Sequence, residues 1–212
     1  MEEELYEKIW ERKKENQVNY HKKGTRAYEA SKLIRKGDNI LDVGCGDGAL
    51  FHLVKDKCKA YYGTDISKTA LNLIKDKKVH TKIVNLNTEK LPFKDGFFDY
   101  TVCLDVIEHI FDPVNLINEL FRVTKPKGYV IISTPNIRYY RYIARLISGK
   151  FPLTSGDLEH YDGGHIHYFT YQDVVDLCID QSSKVKKYGI NTRYMIEFLS
   201  GGVLVKARKN DK

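Results

Sequence analysis

Residues 40–50, ILDVGCGDGAL, and residues 60–65, AYYGTD, decide the reading of this chain. In the first, an apolar run with branched residues ends in Gly44-Cys45-Gly46-Asp47-Gly48 and opens onto a stretch of helical character. That order is a strand, a tight turn and a helix. Glycines in the turn let the backbone approach a ligand with no Cβ in the way. In open α/β sheets, ligands sit at such strand ends, where the strand order reverses. The spacing is G-x-G-x-G, whereas a dinucleotide pyrophosphate asks for G-x-G-x-x-G, and an acid, Asp42, precedes the turn. A carboxylate there suits an ammonium better than a phosphate. The second stretch ends in Asp65, placed to accept the hydroxyls of a ribose.

Working outward, the same rhythm repeats. NILDVG (39–44), AYYGTD (60–65), TKIVNL (81–86), YTVCLD (100–105) and YVIIST (129–134) are strand-like. Helices are expected at 49–55, at 67–77 with Ser67 as N-cap, at 106–110, and at 113–123 with Asp112 as N-cap. Thr170 can cap a further helix over 171–181 in a T-x-x-D arrangement with Asp173. Two strand-like runs follow at 184–190 and 202–208, close enough to form an antiparallel hairpin at the sheet edge. Alternating strands and helices imply a parallel sheet covered on both faces. The expected fold is α/β: a Rossmann-like, doubly wound, seven-stranded sheet, mostly parallel with an antiparallel C-terminal hairpin. At the other end, Leu5, Ile9 and Trp10 recur at helical spacing, so residues 3–17 read as an amphipathic helix. One domain is expected over 1–212, with a helical region at 1–38 and an insertion at 136–170.

Composition narrows the class. With 212 residues, 42% hydrophobic and 30% charged, the chain fits an ordinary globular domain. No apolar run approaches the roughly 20 residues that span a bilayer, and the charged first segment lacks an apolar leader core. A cytoplasmic protein without a membrane partner is the expectation. Cys45, Cys58, Cys103 and Cys178 are widely spaced, as reduced and mostly buried thiols would be. The charge of +7 from 35 Lys+Arg and 28 Asp+Glu leaves nucleic acid open as a partner. The excess is scattered along the chain, so nucleic acid is not favoured.

From about residue 38 to 135 the chain resembles the class I S-adenosylmethionine (SAM)-dependent methyltransferases. The likeness runs through ILDVGCGDG, the acid in YGTDIS, NTEKLPFKDGFFDYTVC, LDVIEHIFDP and ELFRVTKPKGYVIISTPN. SAM joins an adenosine to an amino acid, the pair of groups that Asp65 and Asp42 suit. The resemblance implies that Asp42, Gly44 and Gly46 hold the methionine end, Asp65 the ribose and Ile66 the adenine face. Cys45 and Leu104 complete that cofactor set. Where the family usually has an Asp reaching the adenine amino group, this chain has Asn87, whose side-chain oxygen can accept the same bond. Lys127-Gly128 stands where two glycines are common.

Asp105, Glu108 and His109 fall at i, i+3 and i+4, one face of a helix if the segment is helical, and GGHIHYFT brings His165 and His167 later. Carboxylates and imidazoles together suit Mg, Mn, Fe or Zn, so Asp105, Glu108, His109 and His165 form a candidate divalent-metal set. The arrangement resembles the small-RNA 3′-terminal 2′-O-methyltransferases and the ubiquinone-biosynthesis O-methyltransferases, with Asp105 in place of the usual Glu. Many metal-free relatives also carry Glu-His here.

The insertion, with Tyr139, Tyr140, Arg141, Tyr142 and Arg145, reads as an amphipathic helix whose rings and guanidinium groups are also suited to an acceptor. It is similar to methyltransferase-like proteins of methionine biosynthesis and polysaccharide clusters. His109 and His165 are the candidate catalytic bases. The expectation is O-methylation of a small-molecule or sugar-like hydroxyl. The alternatives are an RNA 3′-terminal ribose 2′-O-methyltransferase and a non-catalytic SAM-binding regulator of a partner enzyme.

Overall fold

The apolar runs of the sequence become seven strands of one sheet in a computed structural model that describes residues 2–13, 21–155, 161–190, 192 and 196–211. They are β1 (Asp38–Val43), β2 (Cys58–Asp65), β3 (Val79–Ile83), β4 (Phe98–Leu104), β5 (Thr124–Pro135), β6 (Ser182–Gly189) and β7 (Gly202–Lys209). The spatial order is β3-β2-β1-β4-β5-β7-β6. The first five are parallel, and β7 runs antiparallel to both β5 and β6. The C-terminal hairpin therefore turns its second strand inward against β5.

Helices cover both faces because the strands are apolar on both. Leu41, Val43, Val130 and Ile132 face α5 (Pro113–Val123) and α7 (Tyr171–Ile179) in one buried cluster. Their neighbours Ile40, Val102 and Ile131 face α2 (Arg26–Ser31) and α3 (Ala49–Val54) in the other. This is the period-two alternation of a strand read from both sides. On α5, Leu116, Ile117, Leu120, Phe121 and Val123 are buried, each contributing about 1.5–3 kcal/mol by leaving water. Asp112 caps that helix by accepting from Asn115 N–H at 2.9 Å, with Pro113 in its first turn.

The remaining helices are α1 (Glu2–Lys13), α4 (Lys68–Leu73) and α6 (Tyr140–Ile147). Residues 14–17 of the expected N-terminal helix, and 156–160 of the insertion, lie outside the described residues. Ser67 caps α4 as expected, but the helix ends at Leu73, not near residue 77. Past Ile74 the charged run 75–78 is exposed, and nothing anchors another turn. β3 ends at Ile83, one residue short of the Val84 N–H that still donates to Asp65 O at 3.0 Å, so the strand expected to 86 stops early. Residues 106–110, expected as helix, form only a 3-10 turn at Ile107–His109.

Lys127 sits at φ +63°, which explains why glycine is common at this position. The four cysteines are free, with Cys58 alone only half-buried. Among the described residues no helix is long and apolar enough to cross a membrane.

Thr170 and Asp173 form a complete capping box: Asp173 N–H reaches the Thr170 hydroxyl at 3.3 Å, and Thr170 N–H reaches the Asp173 carboxylate at 2.7 Å. Replacing Thr170→Ala should lower unfolding stability by about 1 kcal/mol. The check is a denaturant titration showing a lower midpoint at unchanged slope.

Candidate active site

The C-terminal ends of β1 and β4 diverge into loops, and a cavity of about 850 Å³ opens there. Asp42, Gly44, Cys45, Gly46, Asp65, Ile66 and Leu104 all line it. The turn is tied to β2 by Gly44 N–H and Cys45 N–H, which share Thr64 O at 2.7 and 2.9 Å. Gly44, Gly46 and Gly48 all lie at positive φ, so this path is closed to most side chains.

Asp42 and Asp65 are both buried. Asp42 accepts from the Tyr61 hydroxyl at 2.6 Å, yet burial dominates and pushes its carboxyl up to about 7. Asp65 accepts from Gly46 N–H at 2.8 Å and Ser67 N–H at 2.9 Å. Burial raises its pKa too, and these backbone donors oppose the rise. Each Asp65 oxygen keeps acceptor capacity for a ribose hydroxyl.

Asn87 is placed differently from expectation. Its side-chain oxygen accepts from Phe111 N–H at 2.8 Å, clamping the loop after the 3-10 turn, and it does not line the cavity. Asn85 and Leu86 line the wall there. The early end of β3 shifts which residues face inward, and a strand continuing to 86 would have hidden that shift.

A second unanticipated wall comes from α1. Tyr6, Ile9, Trp10 and Lys13 line the cavity. The Trp10 ring presses on the turn so closely that a Cβ at Gly46 would stand 2.5 Å from it. Glu7 fixes the helix by accepting from Lys68 N–H and Thr69 N–H, at 2.6 and 3.1 Å. The amphipathic pattern of α1 was legible in sequence, but its destination was not.

The histidines do converge. His109 and His165 stand with ring centroids 4.7 Å apart at the cavity wall, and Glu108 lies beside them. One ligand atom from each of Glu108, His109 and His165 falls within 4.8 Å of the others. Asp105 is not in that group. It precedes the 3-10 turn at φ +53°, where its carboxylate accepts from the Ser133 hydroxyl at 2.7 Å and pairs with Arg26. The i, i+3, i+4 reading fails here because the segment is not an α-helix. His167 packs on Phe169 outside the group.

Electrostatics around the cluster are set by burial. It lowers the His109 pKa to about 4, aided by the neighbouring His165, and it lowers that of His165 as well. Both imidazoles are therefore neutral at pH 7. Burial pushes Glu108 up to about 7, opposed by its own backbone N–H, by the Arg26 charge and by the Thr134 hydroxyl. His109 Nδ1 contacts Gly164 O at 3.2 Å. A carbonyl only accepts, so Nδ1 carries the proton and the Nε2 lone pair is left free. His165 Nδ1 contacts the Thr154 hydroxyl at 2.6 Å, and its Nε2 stands 4.0 Å from Glu108. Asp162 stitches this loop together, accepting from Thr154 N–H, Ser155 N–H at 2.7 Å and the Tyr168 hydroxyl at 3.0 Å.

A second cavity of about 540 Å³ shares Arg26, Asp105, Pro135 and Thr154 with the first and adds Thr134, Tyr142 and Ile190.

The strand-turn-helix acid site lies at the switch point of this sheet, and residues 41–132 match the family model described as "Methyltransferase domain". Over that stretch the chain is similar to SAM-dependent methyltransferases. It is 39% identical over 113 residues to an uncharacterized protein of Methanocaldococcus jannaschii, covering 51% of this chain and 48% of that one. It is also 32% identical over 123 residues to a ubiquinone biosynthesis O-methyltransferase of Alkalilimnicola ehrlichii, covering 56% and 50%. The chain spans about half the length of the curated relatives it matches. In fold it is similar to a SAM-dependent methyltransferase of Thermotoga maritima described as a possible histamine N-methyltransferase. That likeness has a TM-score of 0.72 at 15% identity, covering 98% of this chain and 99% of that one.

Two outcomes follow from the buried acids. Calorimetry should show SAM affinity reduced about tenfold or more by Asp65→Ala, as loss of charge-assisted hydrogen bonds implies. Asp42 must ionise to face an ammonium, so affinity should rise with pH towards about 7 and level off above it. Asp42→Asn should flatten that rise. A wild-type affinity independent of pH through the neutral range would remove Asp42 from the methionine end.

Proposed function

We propose that this chain transfers the methyl group of SAM to the hydroxyl of a small-molecule or sugar-like acceptor. The observation that carries the reading is His109: a neutral imidazole with its proton fixed on Nδ1, at the wall shared with the cofactor cavity. Bound SAM supplies an electrophilic methyl on a sulfonium. Asp42 and Asp65 anchor its two ends, and His109 and His165 line the same cavity, where the acceptor would lie beside it. The free Nε2 of His109 accepts the hydroxyl proton, and the protein's main contribution is to align oxygen and methyl carbon. His165, held by Thr154, stands ready as an alternate base. The O-methyltransferase relatives support oxygen as the acceptor atom, at identities of 27% and 32%.

A second reading adds a divalent cation. Glu108 is a buried carboxylate, and one ligand atom from each of Glu108, His109 and His165 lies within 4.8 Å of the others, His165 Nε2 standing 4.0 Å from a Glu108 oxygen. With each Nδ1 held from behind, these residues have the outer support that metal-ligating histidines carry. When bound, such an ion lowers the pKa of an acceptor hydroxyl.

The test incubates the protein and labelled SAM with hydroxyl, thiol and amine acceptors and reads product mass. Methylation of amines but no hydroxyls would overturn the reading. His109→Ala should lower turnover about a hundredfold or more and leave SAM affinity almost unchanged. At saturating SAM, where the Asp42 effect on affinity drops out, the acid limb of the wild-type pH–rate profile should lie near 4, well below the ordinary histidine value of 6.5. Chelation separates the cation reading: full activity after exhaustive treatment, with no heat of binding for magnesium or manganese alone, would remove it.

A further inference from the structure

The insertion helix α6 is unlike every other helix of the domain. From Arg138 to Phe151 the chain holds Arg138, Arg141, Arg145 and Lys150 and no acid. None of its residues is buried. By helical spacing Tyr140, Ala144 and Ile147 share one edge, while Arg141, Arg145 and Ser148 lie along the next. Ile147 is 82% exposed and Leu146 47%. Tyr140 contacts Phe198, itself 46% exposed, so the apolar edge continues onto the loop before β7. Only Tyr139, Tyr142 and Ile143 turn partly inward.

We propose that α6 docks on an anionic lipid surface, its apolar edge seated among the acyl boundary and its arginines against headgroup phosphates. A strong apolar edge beside a purely cationic one is the pattern of a helix lying in the membrane interface. The charge decides the occupant. In an isologous dimer Arg141 and Arg145 of two copies would face one another. Among the described residues Glu197, beside this helix, is already engaged by Lys187 at 2.9 Å and by Arg138 at 3.7 Å. A nucleic acid would neutralise the arginines but leave Ile147 and Leu146 in water. An anionic leaflet satisfies both edges at once. Docking needs no spanning segment, so the lack of a long apolar run in the sequence does not oppose it. Because Tyr142 of the same helix lines the second cavity, the docked domain would hold that cavity near the lipid surface. The surface exists whatever the acceptor proves to be.

The full chain is to be sedimented with vesicles of phosphatidylcholine alone and with vesicles that also hold phosphatidylglycerol. The protein should pellet with the anionic vesicles and be released as salt rises. Arg141→Glu with Arg145→Glu, and separately Ile147→Asp, should each lower the partition coefficient about tenfold or more. Thermal unfolding and SAM affinity should stay at wild-type values in both variants, which separates lost docking from lost folding or lost cofactor binding. Failure of the wild type to pellet with anionic vesicles would overturn the proposal, as would equal pelleting of the variants. It would equally be overturned if the wild type sedimented as a dimer that Ile147→Asp dissociates, or if a short RNA displaced the vesicles at equal charge.

Discussion

Two carboxylates buried at the ends of adjacent parallel strands, Asp42 on β1 and Asp65 on β2, impose the constraint around which the site is built. Burying a negative charge is costly unless hydrogen bonds or a counter-charge answer it. In this fold the answer is partial. Asp42 has one hydroxyl donor, from Tyr61, and Asp65 has two backbone N–H donors supplied by the glycine turn and by Ser67. Both pKa values are raised in consequence, so the free protein stores an unmet demand for positive charge and hydroxyl donors. A ligand with an ammonium at one end and a ribose at the other meets that demand. On the proposed function, cofactor recognition completes an electrostatic arrangement that the sheet leaves unfinished.

The same burial governs the histidine cluster. Glu108 and His109 arrive on a 3-10 turn, and His165 arrives on a loop held by Asp162 and Thr154. Burial neutralises both imidazoles and drives Glu108 up to about 7. A neutral imidazole is a competent base and a competent ligand, so one geometry supports proton transfer and cation binding alike. Backbone strain is spent at the same place, since Asp105 and Asp162 both lie at positive φ on either side of the cluster.

The periphery gives the site its enclosure. Helix α1 closes the cofactor cavity with Trp10 against Gly46 and Tyr6 edge-on to His109 at 5.6 Å. It is fastened through Glu7 to the first N–H groups of α4. The glycine at position 46 is thus required twice, by its positive φ and by the ring above it. On the far side α6 leaves its apolar edge in water while lending Tyr142 to the second cavity. One helix covers the cavity and another faces outward.

What the sequence by itself determined was everything governed by neighbours in the chain. Strand alternation, the caps at Ser67, Asp112 and Thr170, the glycine turn, and Asp42 and Asp65 all obey rules of a few residues' reach, and the fold class follows from their order. Tertiary structure alone decided what depends on distant partners. Asp105 left the expected cluster because Ser133 and Arg26, remote in sequence, hold its carboxylate. Asn87 faces Phe111, and Asn85 takes the cavity wall, because β3 stops at Ile83, short of residue 86. His165 reaches Glu108 from more than fifty positions away, and Trp10 reaches Gly46 from across the first loop. Local propensity acts through backbone torsions and adjacent side chains. The convergence of these residues is fixed only when the sheet has ordered and the loops must satisfy the polar groups left at its edge.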